Sequence, residues 1–99
     1  MVRERTVEQH LVNGLDRIGI PCVKFQPDHM RGMPDRLILL PDGRVLWCEL
    51  KTQGGKLEPI QQVRHRELEK SGQQVRVVWS TEQADTLIEE IKSAYQTSI

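Results

Sequence analysis

The sequence predicts an α/β fold, a mixed β-sheet flanked by helices, on three observations. Apolar residues recur at helical spacing towards both ends of the chain. The middle carries short, alternating or continuous apolar runs of strand length. Between two of those runs stands Pro41-Asp42-Gly43, the signal of a three-residue hairpin loop. The element order that results is α-β-β-β-α-β-α.

Each element has its own warrant. Over residues 6–18, Val7, Leu11, Leu15 and Ile18 form one helical stripe; Thr6 with Gln9 suggests a capping box, and Gly19 a stop. Residues 21–25 suggest a short strand. The segment 26–34 is rich in turn residues and reads as a loop. Residues 35–40 and 44–51 are the two arms of the hairpin, with Gly43 at the left-handed position. Pro59 opens a second helix that runs to about Ser71, and Gly72 ends it. Val75, Val77 and Trp79 alternate in a fourth strand. Ser80 with Gln83 caps a last helix whose stripe is Ala84, Leu87, Ile88, Ile91 and Tyr95.

Composition sets the frame for function. A length of 99 residues suits a single domain spanning 1–99, with so limited a core that a second copy or a bound partner is a natural complement. Acidic and basic residues balance at 14 each, which argues against a protein that coats nucleic acid through net charge alone. Cys22 and Cys48 lie in apolar runs without a C-x-x-C pair, so buried thiols in a reducing, cytoplasmic setting are expected. No apolar run reaches membrane-spanning length, so no membrane partner is expected. His10, His29 and His65 lack metal-ligand spacing to one another. Trp47 and Trp79 sit inside alternating strands, as core or interface residues do.

The hairpin brings chemistry together. If Leu40 faces Arg44, Asp35 lies directly across from Glu49, with Cβ atoms about 5 Å apart on one face. Strand alternation then turns Lys51 to the same side. Two opposed carboxylates repel, and a divalent cation with oxygen ligands, Mg²⁺ or Mn²⁺, would reward their placement. A slip of one residue would move Asp35 to the wrong face. A solvated hairpin face remains the other explanation of these three residues taken alone.

The wider string is more specific. Gly32-Met33-Pro34-Asp35-Arg36, Trp47-Cys48-Glu49-Leu50-Lys51-Thr52 and Gly55-Lys56-Leu57-Glu58-Pro59-Ile60-Gln61, followed by Gly72, resembles the virus-type replication-repair nuclease (VRR-NUC) domain. That family belongs to the PD-(D/E)xK superfamily, and the resemblance implies its restriction-endonuclease-like core. It covers about residues 6 to 85. It implies that Asp35 and Glu49 bind the metal, that the Leu50 carbonyl is a further ligand, and that Lys51 is the catalytic lysine. It sets Gln61 beside the site, with Gln62 as the alternative. Glu8 resembles the acidic residue that completes the site, although a first-turn charge favouring the helix dipole is an equal reading. Glu4 is a weaker candidate, because it precedes the expected cap at Thr6. Glu58 stands where the family commonly has Ser or Thr.

Arg31, Arg36, Lys56, Arg64 and His65 are the candidate DNA contacts, with an ordinary charged surface as the competing explanation. Stand-alone relatives resemble phage and bacterial Holliday-junction resolvases that act as homodimers. The resemblance therefore implies a homodimeric, Mg²⁺- or Mn²⁺-dependent endonuclease acting on branched DNA, a four-way junction or a flap, in a bacterial or phage setting. A non-catalytic DNA-binding module on the same fold, a flap- or nick-directed enzyme and a restriction-type nuclease are the competing expectations.

Overall fold

The computed structural model describes residues 2–95. Seven elements follow in the expected order: α1 (Glu4–Arg17), β1 (Cys22–Lys24), β2 (Arg36–Leu39), β3 (Val45–Leu50), α2 (Pro59–Lys70), β4 (Gln74–Val78) and α3 (Thr81–Tyr95). The four strands form one mixed sheet in the order β1-β2-β3-β4. The first three run antiparallel, and β4 pairs with β3 in parallel. A parallel neighbour demands a crossover, and α2 supplies it.

The hairpin register matches the expectation. Arg36 pairs with Cys48 and Leu39 with Val45, and the Leu40 amide donates to the Arg44 carbonyl at 3.0 Å. Gly43 closes the loop at φ 90°, where a side chain would be strained. The hairpin tip is tied to α3: the Arg44 guanidinium donates to Asp42 and to the Tyr95 hydroxyl, which donates to Asp42 in turn.

Strand alternation sorts the sheet into two faces. Ile38, Leu46, Cys48, Leu50 and Val78 pack with Val7, Leu11 and Leu15 of α1 and Ala84, Leu87 and Ile91 of α3. This is the core, and Cys48 is buried in it as a free thiol, with Cys22 partly buried alongside. Burial pushes the Cys22 thiol up to about 11 and raises Cys48 further. The opposite face carries Trp47 and Glu49. There Phe25 meets Trp47 edge to face, ring centroids 5.3 Å apart. No helix among the described residues is long and apolar enough to cross a membrane.

Three boundaries differ from expectation in ways that matter. The first helix begins at Glu4, capped by Arg3 without a side-chain bond, so Thr6 lies inside the helix. The helix gains most of a turn at its start, and Glu4 enters the first turn. The hairpin strands are each shorter than expected, so Asp35 and Lys51 flank them as the chain leaves the ladder.

Candidate active site

The site assembles where β2 begins and β3 ends, beside α2. Asp35 follows the buried Pro34, and its Oδ2 accepts the Leu50 amide at 3.0 Å. That bond fixes the carboxylate across from Glu49. The segment leading to Asp35 is clamped against α2. Gly32 has φ 85°, and a Cβ there would stand 2.7 Å from the Ile60 carbonyl oxygen, so only glycine fits without displacement. The Arg64 Nε donates to the Arg31 carbonyl at 2.8 Å, a second tie between the same two segments.

Glu49 is 1% exposed, a rare state for a carboxylate. Two side chains of α2, one turn apart, face its two oxygens. Gln61 Nε2 donates to Oε2 at 3.3 Å, while Gln61 Oε1 accepts the Glu58 amide at 2.9 Å. Gln61 thus caps its own helix and orients Glu49 with one amide group. His65 Nε2 stands 3.5 Å from Oε1, the outer limit of hydrogen-bond length, and neither atom has a hydrogen-bond partner. Burial, then the hydrogen bonding and charge of adjacent Asp35, pushes the Glu49 carboxyl up to about 9. Burial also lowers the His65 pKa, keeping the imidazole neutral.

A third carboxylate joins from α1. One carboxylate oxygen each of Glu4, Asp35 and Glu49 lie within 4.8 Å of one another. Burial and the charge of Asp35 raise the Glu4 pKa, while Lys51 opposes the shift. The positive charge of Lys51 acts on Glu49 in the same sense.

Three oxygen donors, one of them a buried carboxylate with an unpartnered oxygen, suit a hard divalent cation. A cation there would offset the burial and the charge of Asp35 that otherwise keep a proton on Glu49. The donor set therefore fits the metal that the sequence implied.

No family model matches the chain. A phage protein described as "Putative nuclease p44", from Acyrthosiphon pisum secondary endosymbiont phage 1, is 38% identical over 87 residues, spanning 88% of this chain and 94% of the phage protein. A solved VRR-NUC domain superposes with a TM-score of 0.81 at 31% identity, covering 90% of this chain and 97% of that one. The chain belongs to the VRR-NUC family.

Among the residues proposed from the VRR-NUC resemblance, Asp35, Glu49 and Gln61 are brought together, Lys51 is close enough for its charge to act on Glu49, and Leu50 supplies the amide that holds Asp35. Gln62 is turned away, donating instead to the Leu57 carbonyl. Glu8 is not in the acidic cluster. Its Oε2 accepts Arg36 Nε at 2.8 Å and lies 3.9 Å from Lys24 Nζ. The cause is parity. Arg36 neighbours Asp35, so it projects to the sheet's other face, towards α1, and Glu8 meets it there. The acidic residue of α1 at the site is Glu4, one turn earlier.

Three of the five candidate DNA contacts are also otherwise engaged. Arg36 is bound to Glu8 and to the Cys22 carbonyl. Arg64 is bound to the Arg31 carbonyl and to Glu67. His65 lies on the buried side of α2, with little surface left for a nucleic-acid strand. Arg31 and Lys56 remain exposed on the loops around the site. The proximity of His65 to Glu49 was not foreseen, but one signal for it exists. His65 is four residues beyond Gln61, and that spacing puts both on one helix face.

Proposed function

We propose that this VRR-NUC chain, folded as one nuclease domain, is a Mg²⁺- or Mn²⁺-dependent endonuclease that cuts branched DNA as a homodimer, with a four-way junction as its substrate. The observation that carries the metal-dependent reading is the convergence of Glu4, Asp35 and Glu49. The junction and the dimer rest on the likeness to stand-alone family members, and on the match between a two-fold protein and a two-fold junction.

Glu4, Asp35 and Glu49 would hold the cation, with the Leu50 carbonyl as a further ligand. A bound cation supplies Lewis acidity to a phosphoryl oxygen and lowers the pKa of water. Asp35, locked by the Leu50 amide, and Glu49, gripped by Gln61, provide ligands that need no reorganisation when the phosphate arrives. Lys51, on the same side, stabilises negative charge developing on the phosphate and orients the attacking water. Arg31 and Lys56 grip flanking phosphates, each contributing about one unit to the salt dependence of binding.

The test is a cleavage panel of four-way junction, flap, nicked and linear DNA with either metal. The junction is expected to be cut, and Asp35→Ala or Lys51→Ala to abolish the cut. Failure to cut any of these substrates sinks the enzymatic reading in favour of a binding module. Cutting of flap or nicked DNA alone redirects the substrate. Sedimentation at micromolar concentration tests the dimer, and a monomer overturns it.

A further inference from the structure

We propose that His65 is a positioning residue for the cation site, its Nε2–H holding Glu49 Oε1 in place while Gln61 holds Oε2. The inference rests on the metal-site reading of Glu4, Asp35 and Glu49.

His65 is 7% exposed and is the buried residue of α2, deeper than the helix's apolar residues Ile60, Val63 and Leu68. A histidine whose only task is filling space does not need to face a carboxylate. Buried polar atoms nearly always find partners, and the exceptions call for an explanation. Among the described residues the two exceptions, Glu49 Oε1 and His65 Nε2, lie 3.5 Å apart. A carboxylate bound to a cation is ionised, and its remaining lone pairs then need donors. For Oε1 the donor at hand among the described residues is the His65 imidazole. The pair is one contraction of a few tenths of an ångström from a good hydrogen bond.

The geometry divides the labour. Gln61 and His65 sit one turn apart on a single helix, so their spacing is fixed by the helix itself. Gln61 is further fixed by its bond to the Glu58 amide. A two-point grip from one rigid element sets the Glu49 rotamer and leaves its other lone pairs for the cation. His65 touches neither cation nor DNA and acts through Glu49.

The test compares two substitutions of similar size, His65→Gln and His65→Met. The first keeps a donor near the end of the side chain, and the second does not. Mn²⁺ binding is measured without DNA, by calorimetry and by the loss of free-Mn²⁺ paramagnetic resonance signal, with thermal unfolding of the metal-free proteins as the fold control. His65→Met is expected to weaken Mn²⁺ binding about 10- to 100-fold, the usual effect of removing a group that orients a ligand. His65→Gln is expected to restore most of that affinity. Glu49→Gln should abolish binding in the same assay. Equal Mn²⁺ affinity in the two folded His65 variants overturns the positioning role and leaves the metal site standing. Absence of Mn²⁺ uptake by the unaltered protein overturns the metal site, and this inference with it.

Discussion

At the scale of single residues, the site separates two acids one helical turn apart. Glu4 faces Asp35 and Glu49, whereas Glu8 is spent on Arg36. Glu4→Gln is therefore expected to lower the cleavage rate by at least the roughly 10- to 100-fold that loss of a group supporting a metal ligand costs, with little change in urea midpoint. Glu8→Gln is expected to act chiefly on stability, costing about 1 kcal/mol through the part-buried ion pair, which a urea midpoint reads directly. The reverse outcome would restore Glu8 to the site. Glu49 carries a pH dependence of its own. Its carboxyl is raised to about 9 in the metal-free fold and has its ordinary value of 4.5 when unfolded. Between those values the folded state holds a proton that the unfolded state has lost, so stability falls as pH rises. Lowered His65 works the other way, but only below the ordinary imidazole range. From pH 7 to 9, in chelator, the metal-free protein is thus expected to lose stability by at most about 1.4 kcal/mol per unit, and Glu49→Gln to flatten that slope.

At the scale of elements, α2 is the brace of the site. It presents Gln61 and His65 to Glu49, receives the Gly32 backbone at Ile60, and holds the Arg31 carbonyl through Arg64. Gly32→Ala combines an unfavourable φ with a collision against the Ile60 carbonyl. It is expected to cost about 1–3 kcal/mol in chemical denaturation and to depress cleavage, because Asp35 lies three residues on. An unaltered midpoint would show that the loop yields freely. The elements were legible from sequence because each strand and helix carried its own period, and the hairpin register because the loop length set it. The start of α1 was not: Thr6 offered a better cap than Arg3, yet Val7, Leu11 and Leu15 bury equally well from either start, so packing did not need the cap. The displaced start hid Glu4. Arg36 was misplaced for a different reason, since its neighbour Asp35 was read by alternation and Arg36 was not. The burial of His65 depends on how α2 crosses the sheet, which no local pattern encodes.

At the scale of the whole molecule, the proposed ligands come from α1, from the segment before β2, and from β3. They meet only when the chain is folded, so cation binding and global folding are linked. At a cation concentration of 100 times Kd the fold should gain about 2.7 kcal/mol. For a chain of this size that gain raises Tm by roughly 10–20 °C. Calorimetry with Mn²⁺ should show the rise, and Glu49→Gln should remove it. The long loop between β1 and β2 divides unequally in this respect. Residues 26–31 are exposed, whereas Gly32 lies against α2 and Pro34 is buried. Extra residues inserted near His29 would lengthen a solvent-exposed bow at small entropic cost, while one residue added after Gly32 would shift Asp35 out of step with Leu50. The bow is thus the place where the chain can be lengthened or given a reporter with its carboxylates left in register.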